Sequence, residues 1–361
     1  MPRAALHICL SLTIAVFVGC SSARTDTAAD GTRDRTNAEA QRAGNRSAGP
    51  DVIEMSSLRE RALEILNEAA FSDSALMRAN AIEGLHPVPT RAEEIVRMAL
   101  TDENVGVRYA AATSVGILEL EDSAEQVRAL LDDSDGSVRA AAIFALHRLG
   151  EDVNISPLAD LLQSRSARTR AQVVWLIGEM GDPSAIPMLA DIAKQKTRGT
   201  PVEDRLFRMQ VAEALVKLGE FGEVSTLRAA LYPSSRSEFE VAVLAAQIIG
   251  EVEDRGASAQ LVNLIEAEAS NSKPSETSWL YPAELRLQAA AALAKMGFDD
   301  GTYVAREYMG HDNDAVRAQS AYVLAEIGQK ENLQGLEALL EDESPLVQVY
   351  AAAGILKILE S

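Results

Sequence analysis

Asp133-Ser134-Asp135-Gly136-Ser137-Val138-Arg139 runs on through Ala140-Ala141-Ala142-Ile143-Phe144-Ala145-Leu146 to Gly150. The stretch carries its own helix start and stop. Side-chain oxygens at its front can cap free amides, small and aliphatic residues follow at helical spacing, and a glycine closes it. The pattern then recurs. With Arg139 as marker, Arg78, Arg108, Arg170, Arg208, Arg286 and Arg317 hold equivalent places, and Ala242 and Gln348 fill the two that lack Arg. The steps from one marker to the next are 30, 31, 31, 38, 34, 44, 31 and 31 residues. Self-similarity at such a period means a stacked array of helical units. Each unit meets only its neighbours, so 361 residues need not mean two domains.

Each marked helix is preceded by a shorter amphipathic one, as at 123–131, 157–162, 185–193, 257–265 and 332–340. Counted from the helix around 58–66, about nine helix pairs reach the C-terminus. The composition agrees: 47% apolar but only 4% aromatic, with much Ala, which suits closely packed helices better than sheets. An acidic residue, then Val-Arg, then an Ala-rich helix ending in Leu-Gly resembles the HEAT repeat. The motif is cleanest at Asp102…Val107-Arg108, Asp133…Val138-Arg139 and Asp312…Val316-Arg317. Its short period is similar to the variant found in phycobilin lyases. The resemblance covers 51–361 and implies an all-α, right-handed α-α superhelix in which the second helix of each pair lines the concave face. It says little of function, since the repeat serves many unrelated partners.

The marker arginines read as architecture. A guanidinium fork suits Asp and free carbonyls of a neighbouring turn, so Arg78, Arg108, Arg139, Arg170, Arg208, Arg286 and Arg317 are expected to form a structural ladder between repeats. Positions +3, +4, +7 and +10 from the marker share one apolar face. Position +5 lies opposite and is expected to point into the concave groove: Glu83, Thr113, Phe144, Trp175, Glu213, Gln247, Ala291, Tyr322 and Ala353. Phe144 and Trp175 are adjacent in this row, with His147 and Arg148 one turn along. Aromatics beside a cation are the composition of an interface hot spot, which makes these four candidate partner-binding residues; the alternative is that tight superhelical curvature covers the rings against neighbouring helices. Position +9 alternates in sign: Arg148, Glu179, Lys217, Glu251, Lys295, Glu326, Lys357. Pairs between stacked helices would fix their register while adding at most about 1 kcal/mol each if exposed. Position +2 adds a polar amide row: Asn80, Gln172, Gln210, Gln288 and Gln319. A groove of amides and mixed charges suits a polypeptide.

The 38- and 44-residue steps hold insertions, which in arrays map to loops, often on the binding side. The second carries Trp279 and Tyr281 beside Pro282, either a contact site or rings folded back onto the array. The C-terminus ends Ile355-Leu356-Lys357-Ile358-Leu359-Glu360-Ser361 where a polar cap is usual. It is expected either to fray or to meet another molecule end to end.

Residues 1–19 read as a signal segment. Arg3 precedes an apolar run, 4–18, too short for the roughly 20 residues that span a bilayer. It ends Phe17-Val18-Gly19-Cys20, which resembles the bacterial lipobox, with Cys20 lipidated and becoming the mature N-terminus; Phe17 departs from the usual Leu. Ser21 would send such a lipoprotein to the outer membrane, on the periplasmic side, in a two-membrane envelope. Cys9 leaves with the signal, so no disulfide or free thiol would remain. Residues 20–50 then form a tether. From Ser21 to Pro50 there is no Val, Ile, Leu, Met, Phe, Tyr or Trp, and such a segment has nothing to bury. It would reach roughly 30 Å.

Net charge is −20, and −21 once the single Arg of the signal is gone. An acidic surface repels phosphate backbones and anionic headgroups, so nucleic acid is not expected as a partner, nor a membrane except through the lipid. None of His7, His86, His147 and His311 is followed by Glu, so the His-Glu pairs of the di-iron HEAT-repeat hydroxylases are missing. HExxH, GxxxxGK[ST], GxSxG and GxGxxG are absent too. Asp133-Ser134-Asp135-Gly136 starts like a calcium loop but fails at Leu131 and Ala142. The expected function is a non-catalytic, membrane-tethered, monomeric scaffold of the bacterial envelope, with no cofactor or metal, binding a protein partner along its concave face. The alternatives are a phycobilin-lyase-like enzyme or auxiliary handling a prosthetic group, and a structural spacer without a dedicated partner.

Overall fold

The computed structural model describes residues 52–195, 199–268 and 279–361. The signal segment, Cys20, the tether and the cores of both insertions, 196–198 and 269–278, lie outside the described residues. Among the described residues there are eighteen α-helices and no strand, only an isolated bridge between Glu268 and Trp279. They form nine antiparallel pairs: α1 (Val52–Ala70) with α2 (Ala75–Gly84), α3 (Pro89–Ala99) with α4 (Val105–Leu118), α5 (Ala124–Ala129) with α6 (Gly136–Arg148), α7 (Pro157–Leu161) with α8 (Ala167–Met180), α9 (Ile186–Lys194) with α10 (Pro201–Lys217), α11 (Val224–Ala230) with α12 (Phe239–Glu251), α13 (Ser258–Glu266) with α14 (Ala283–Lys295), α15 (Thr302–Tyr308) with α16 (Asp314–Ile327), and α17 (Leu333–Leu340) with α18 (Pro345–Leu359). The fold is the all-α solenoid that the repeat implies.

The opening stretch forms α6 as its sequence dictates. Asp135 caps the Ser137 amide at 2.8 Å, and Asp133 takes the Asp135 amide at 2.8 Å. At the other end Gly150 turns with φ +74°, a left-handed value that glycine adopts without strain, and the Glu151 amide reaches back to the Leu146 carbonyl at 2.9 Å.

The array closes on itself. Each even-numbered helix packs on the even-numbered helices before and after it, and α18 packs on both α1 and α2. At this seam a Cβ on Gly84 would stand 3.1 Å from the Ala353 Cβ. Arg59 of α1 meets Glu360 at 2.5 Å, and Arg61 meets Glu337 at 3.1 Å and also pairs with Glu341. The apolar C-terminus therefore neither frays nor waits for another molecule: Leu356 is fully buried and Leu359 partly so. Nine inner helices form a ring, and nine outer helices surround it.

Small residues set the inner spacing. A Cβ on Gly178 would lie 3.0 Å from the Ala214 Cα, and one on Gly250 only 2.8 Å from the Ala292 Cα. Gly inside a helix costs about 1 kcal/mol relative to Ala, so its presence here reflects backbone approach rather than propensity. Gly250→Val is expected to destabilise the ring by about 2–3 kcal/mol, read as a shifted urea midpoint. A neutral or stabilising result would mean that α12 and α14 do not approach this closely.

The ladder forms in part. Arg78 grips Asp102 with two bonds of 2.8 Å, Arg108 grips Asp133 at 2.7 and 3.1 Å, and Arg317 grips Asp342 at 2.7 and 2.8 Å. Each reaches into the following repeat, and each also donates to carbonyls five and six residues back. Burial is the largest single influence on the Asp102 and Asp133 carboxyls and raises them, but the guanidinium bond, a backbone amide bond and the nearby arginine charges together outweigh it and leave both below the ordinary carboxylate range; at Asp342 the Arg317 bond is the largest cause of the same depression. Arg139 and Arg170 make the carbonyl bonds, and Arg170 sits 5.5 Å over the Phe207 ring of the next repeat.

Arg208 and Arg286 depart from the expectation. Helix α10 begins seven residues before its marker, so the carbonyls that Arg208 would reach are already helical; it pairs with Asp204 at 2.9 Å and stays half exposed. Arg286 is fully buried and turns to its own loop and outer helices. It donates to the Ile265 carbonyl at 3.0 Å and the Tyr308 hydroxyl at 2.5 Å, pairs with Glu307, and lies 3.6 Å from the Trp279 ring centre.

Candidate functional site

The inner helices run parallel, so their residues stack in tiers around the lumen. Position +5 does face inward, but packing against neighbouring inner helices leaves little of it accessible. Glu83, Thr113, Phe144, Glu213, Ala291, Tyr322 and Ala353 are all at most 8% exposed. Phe144 in particular is 1% exposed, its ring lying where a Gly116 side chain would go. The expectation that it presents a ring to a partner is therefore corrected: neighbouring helices cover it. Trp175 is half-buried, 6.3 Å from Phe144 between ring centres, with the Lys217 ammonium 5.9 Å over its face.

Position +9 builds a charge belt at the C-terminal ends of the inner helices. Lys217 donates to Glu179 at 2.6 Å and Glu213 at 2.5 Å, Lys295 bonds Glu251, and Lys357 pairs with Glu326 at 2.6 Å. The sign alternation read from the sequence is realised, each Lys taking the Glu of the preceding repeat. Arg148 differs, pairing with Glu119 at 2.8 Å instead of Glu179. The Lys–Glu pairs are far less exposed than surface bridges. Burial opposes charge on Lys217, but Glu213, Glu179 and Glu251 hold it protonated, well above the usual lysine range. Burial dominates at Glu213 and raises it despite the same lysine. Lys217→Ala would strand two carboxylates, with an expected loss of about 3 kcal/mol at pH 7. The loss should shrink as pH falls and Glu213, already raised by burial, takes up a proton; denaturant titrations at pH 7 and pH 5 check this.

Above the belt the lumen opens into a cavity of about 330 Å³. Six inner helices line it, α2, α10, α12, α14, α16 and α18, so it is complete only when the seam is closed. Its walls are mainly apolar: Leu76, Leu206, Val243, Leu244, Ala318 and Leu346. The amide row enters it through Asn80, Gln288 and Gln319, joined by Gln247, and Tyr322 contributes to its lining. Asn80 is 8% exposed, and its Nδ2 has no hydrogen-bond partner among the described residues. One turn along α2, Glu83 is buried without an ion pair among the described residues, and desolvation pushes its carboxyl up to about 8. His86, bonded to Ser114 at 2.8 Å, is lowered by burial to about 4 and is neutral at pH 7.

The sequence had placed Asn80 and Glu83 in their rows, but nothing in a repeat pattern says that its ends meet. The one unread signal was position −2, where Leu76, Leu206, Ala315 and Leu346 are apolar at the lumen mouth. Of the remaining candidates, His147 is half-buried and Arg148 exposed at the end of α6. Trp279 and Tyr281 are folded back: the indole donates to Glu307 at 2.6 Å, and Tyr281 meets Phe239 edge-on at 5.9 Å. Among the described residues no three of His, Cys, Asp and Glu are grouped to hold a metal ion. No helix among them is long and apolar enough to cross a membrane.

A family model described as HEAT repeats matches residues 60–147, 124–200, 155–238 and 280–356. Comparison with curated proteins finds no match. Among solved structures, human deoxyhypusine hydroxylase in complex with glycerol is similar at 16% identity over 75% of this chain and 97% of that one, with a TM-score of 0.37. The complex of CpcE and CpcF of phycocyanin lyase from Nostoc sp. PCC7120 is similar at 18% identity over 72% of this chain and 93% of that one, also with a TM-score of 0.37. At such identities the likeness concerns the fold alone.

Proposed function

Because the chain belongs to the HEAT-repeat family, we propose that it is a non-catalytic, membrane-tethered scaffold of the bacterial envelope that holds a protein partner. Ring closure moves the partner from the concave wall to the ring edge where the inner helices end. The observation carrying this reading is the exposure there of large apolar side chains, Phe221 at 70% and Ile155 at 40%, in turns that follow α10 and α6. His147 and Arg148 stand on the same edge. Large apolar side chains exposed on one edge support protein contact there. The lipoprotein signal speaks against the prosthetic-group reading, which an aromatic pocket at Phe144 and Trp175 would revive; neither residue lines the lumen cavity.

A photo-crosslinking residue placed at Phe221 or Ile155 in the full chain, in its own envelope, is expected to give a discrete protein adduct. The same residue at Glu125, exposed on an outer helix, should give none. Equal labelling at all three positions would remove the edge as a partner site. Separately, Cys20→Ser is expected to release the protein from the membrane fraction; retention there would contradict the lipid tether.

A further inference from the structure

The lumen cavity has no role in the partner reading, and its chemistry is specific. Its volume, about 330 Å³, falls in the range of small-molecule sites. The walls are apolar, yet the buried Asn80 Nδ2 carries an unused donor, and burying a donor without an acceptor is costly. An occupant that brings an oxygen acceptor would satisfy it. Glu240 and Glu284 also line the cavity, and neither pairs with a cation among the described residues. An anionic occupant would meet two carboxylates and no compensating charge, a repulsion that selects by exclusion.

We propose that the cavity binds a neutral, apolar small molecule carrying a carbonyl or hydroxyl oxygen, and rejects the corresponding acid. The aliphatic chain or ring lies against Val243, Leu244, Ala318 and Leu346, and the oxygen accepts from Asn80. Since α2 and α18 both supply walls, binding requires the closed ring and should stabilise it by mass action.

The test uses the full chain with Cys20→Ser, free of detergent, and the neutral fluorophore N-phenyl-1-naphthylamine. The fluorophore is expected to bind saturably and to be displaced by dodecanamide at concentrations at least tenfold lower than by dodecanoate at pH 8. Asn80→Val should weaken dodecanamide about tenfold while leaving the fluorophore unchanged. Val243→Trp should abolish both, with its circular-dichroism melting curve establishing that it folds; Leu346→Phe serves if it does not. Lack of saturable binding by the native protein, equal displacement by the acid, or full binding in the folded Val243→Trp protein would each overturn the proposal. So would a cavity that only a polypeptide fills while both dodecyl compounds remain inert.

Discussion

Leu356→Asp is expected to lower stability by about 5 kcal/mol, among the largest effects of any single substitution in this chain. Leu356 lies three residues after Ala353, which faces Gly84, and four before Glu360, which holds Arg59. At helical spacing these three share one face of α18, the face that meets the first repeat. A carboxylate there would be buried without a partner. In an open array the last helix would turn that face to water, and the same change would cost under about 1 kcal/mol. Leu280→Asp, at a residue 51% exposed, serves as the surface control and should stay within about 0.5 kcal/mol. Urea unfolding monitored by circular dichroism reads all three proteins.

Glu83→Gln is expected to stabilise the protein, and by an amount that depends on pH. The carboxyl titrates at about 8 in the folded ring and near 4.5 when unfolded, and burial is the cause. Between those values the folded state holds the extra proton, so stability falls as pH rises, by up to about 1.4 kcal/mol per pH unit. Above pH 8 the whole penalty is present; below 4.5 it is gone. Glutamine is neutral throughout. The variant should match the native protein near pH 4.5 and exceed it increasingly up to pH 8. Asp102, Asp133 and Asp342 act in the opposite sense: held below the ordinary range, they contribute stability that is lost as pH falls through their folded values. Parallel stability profiles for native and variant across pH 5–8 would mean that Glu83 is solvated or paired.

The period and the marker residues made the helix pairs legible, because each repeat writes its own cap, core face and stop. Position +9 was largely legible: charges of alternate sign one repeat apart pair between stacked helices, as Lys217 with Glu179 and Lys357 with Glu326, with Arg148 the exception. What could not be read was curvature. It accumulates from small differences in packing, such as the contact of Gly250 with Ala292, and a slightly wider turn would leave the ends apart. Phe144 was misplaced for a local reason: its ring lies against Gly116 of the preceding inner helix, which has no side chain to hold it out. Arg208 was misplaced by one added helical turn, which consumed the carbonyls that the other copies use.

The lumen cavity, walled by both the first and the last inner helix, depends on the meeting of the two ends. Spin labels at Glu60→Cys and Ser361→Cys, both at exposed positions, with Cys20→Ser and Cys9 absent, measure that directly by double electron–electron resonance. Helices in contact lie about 10 Å apart, so a closed ring predicts one narrow distance within about 25 Å including the labels. Nine pairs stacked in an open superhelix would instead give a broad distribution beyond about 50 Å, and that result would contradict the ring.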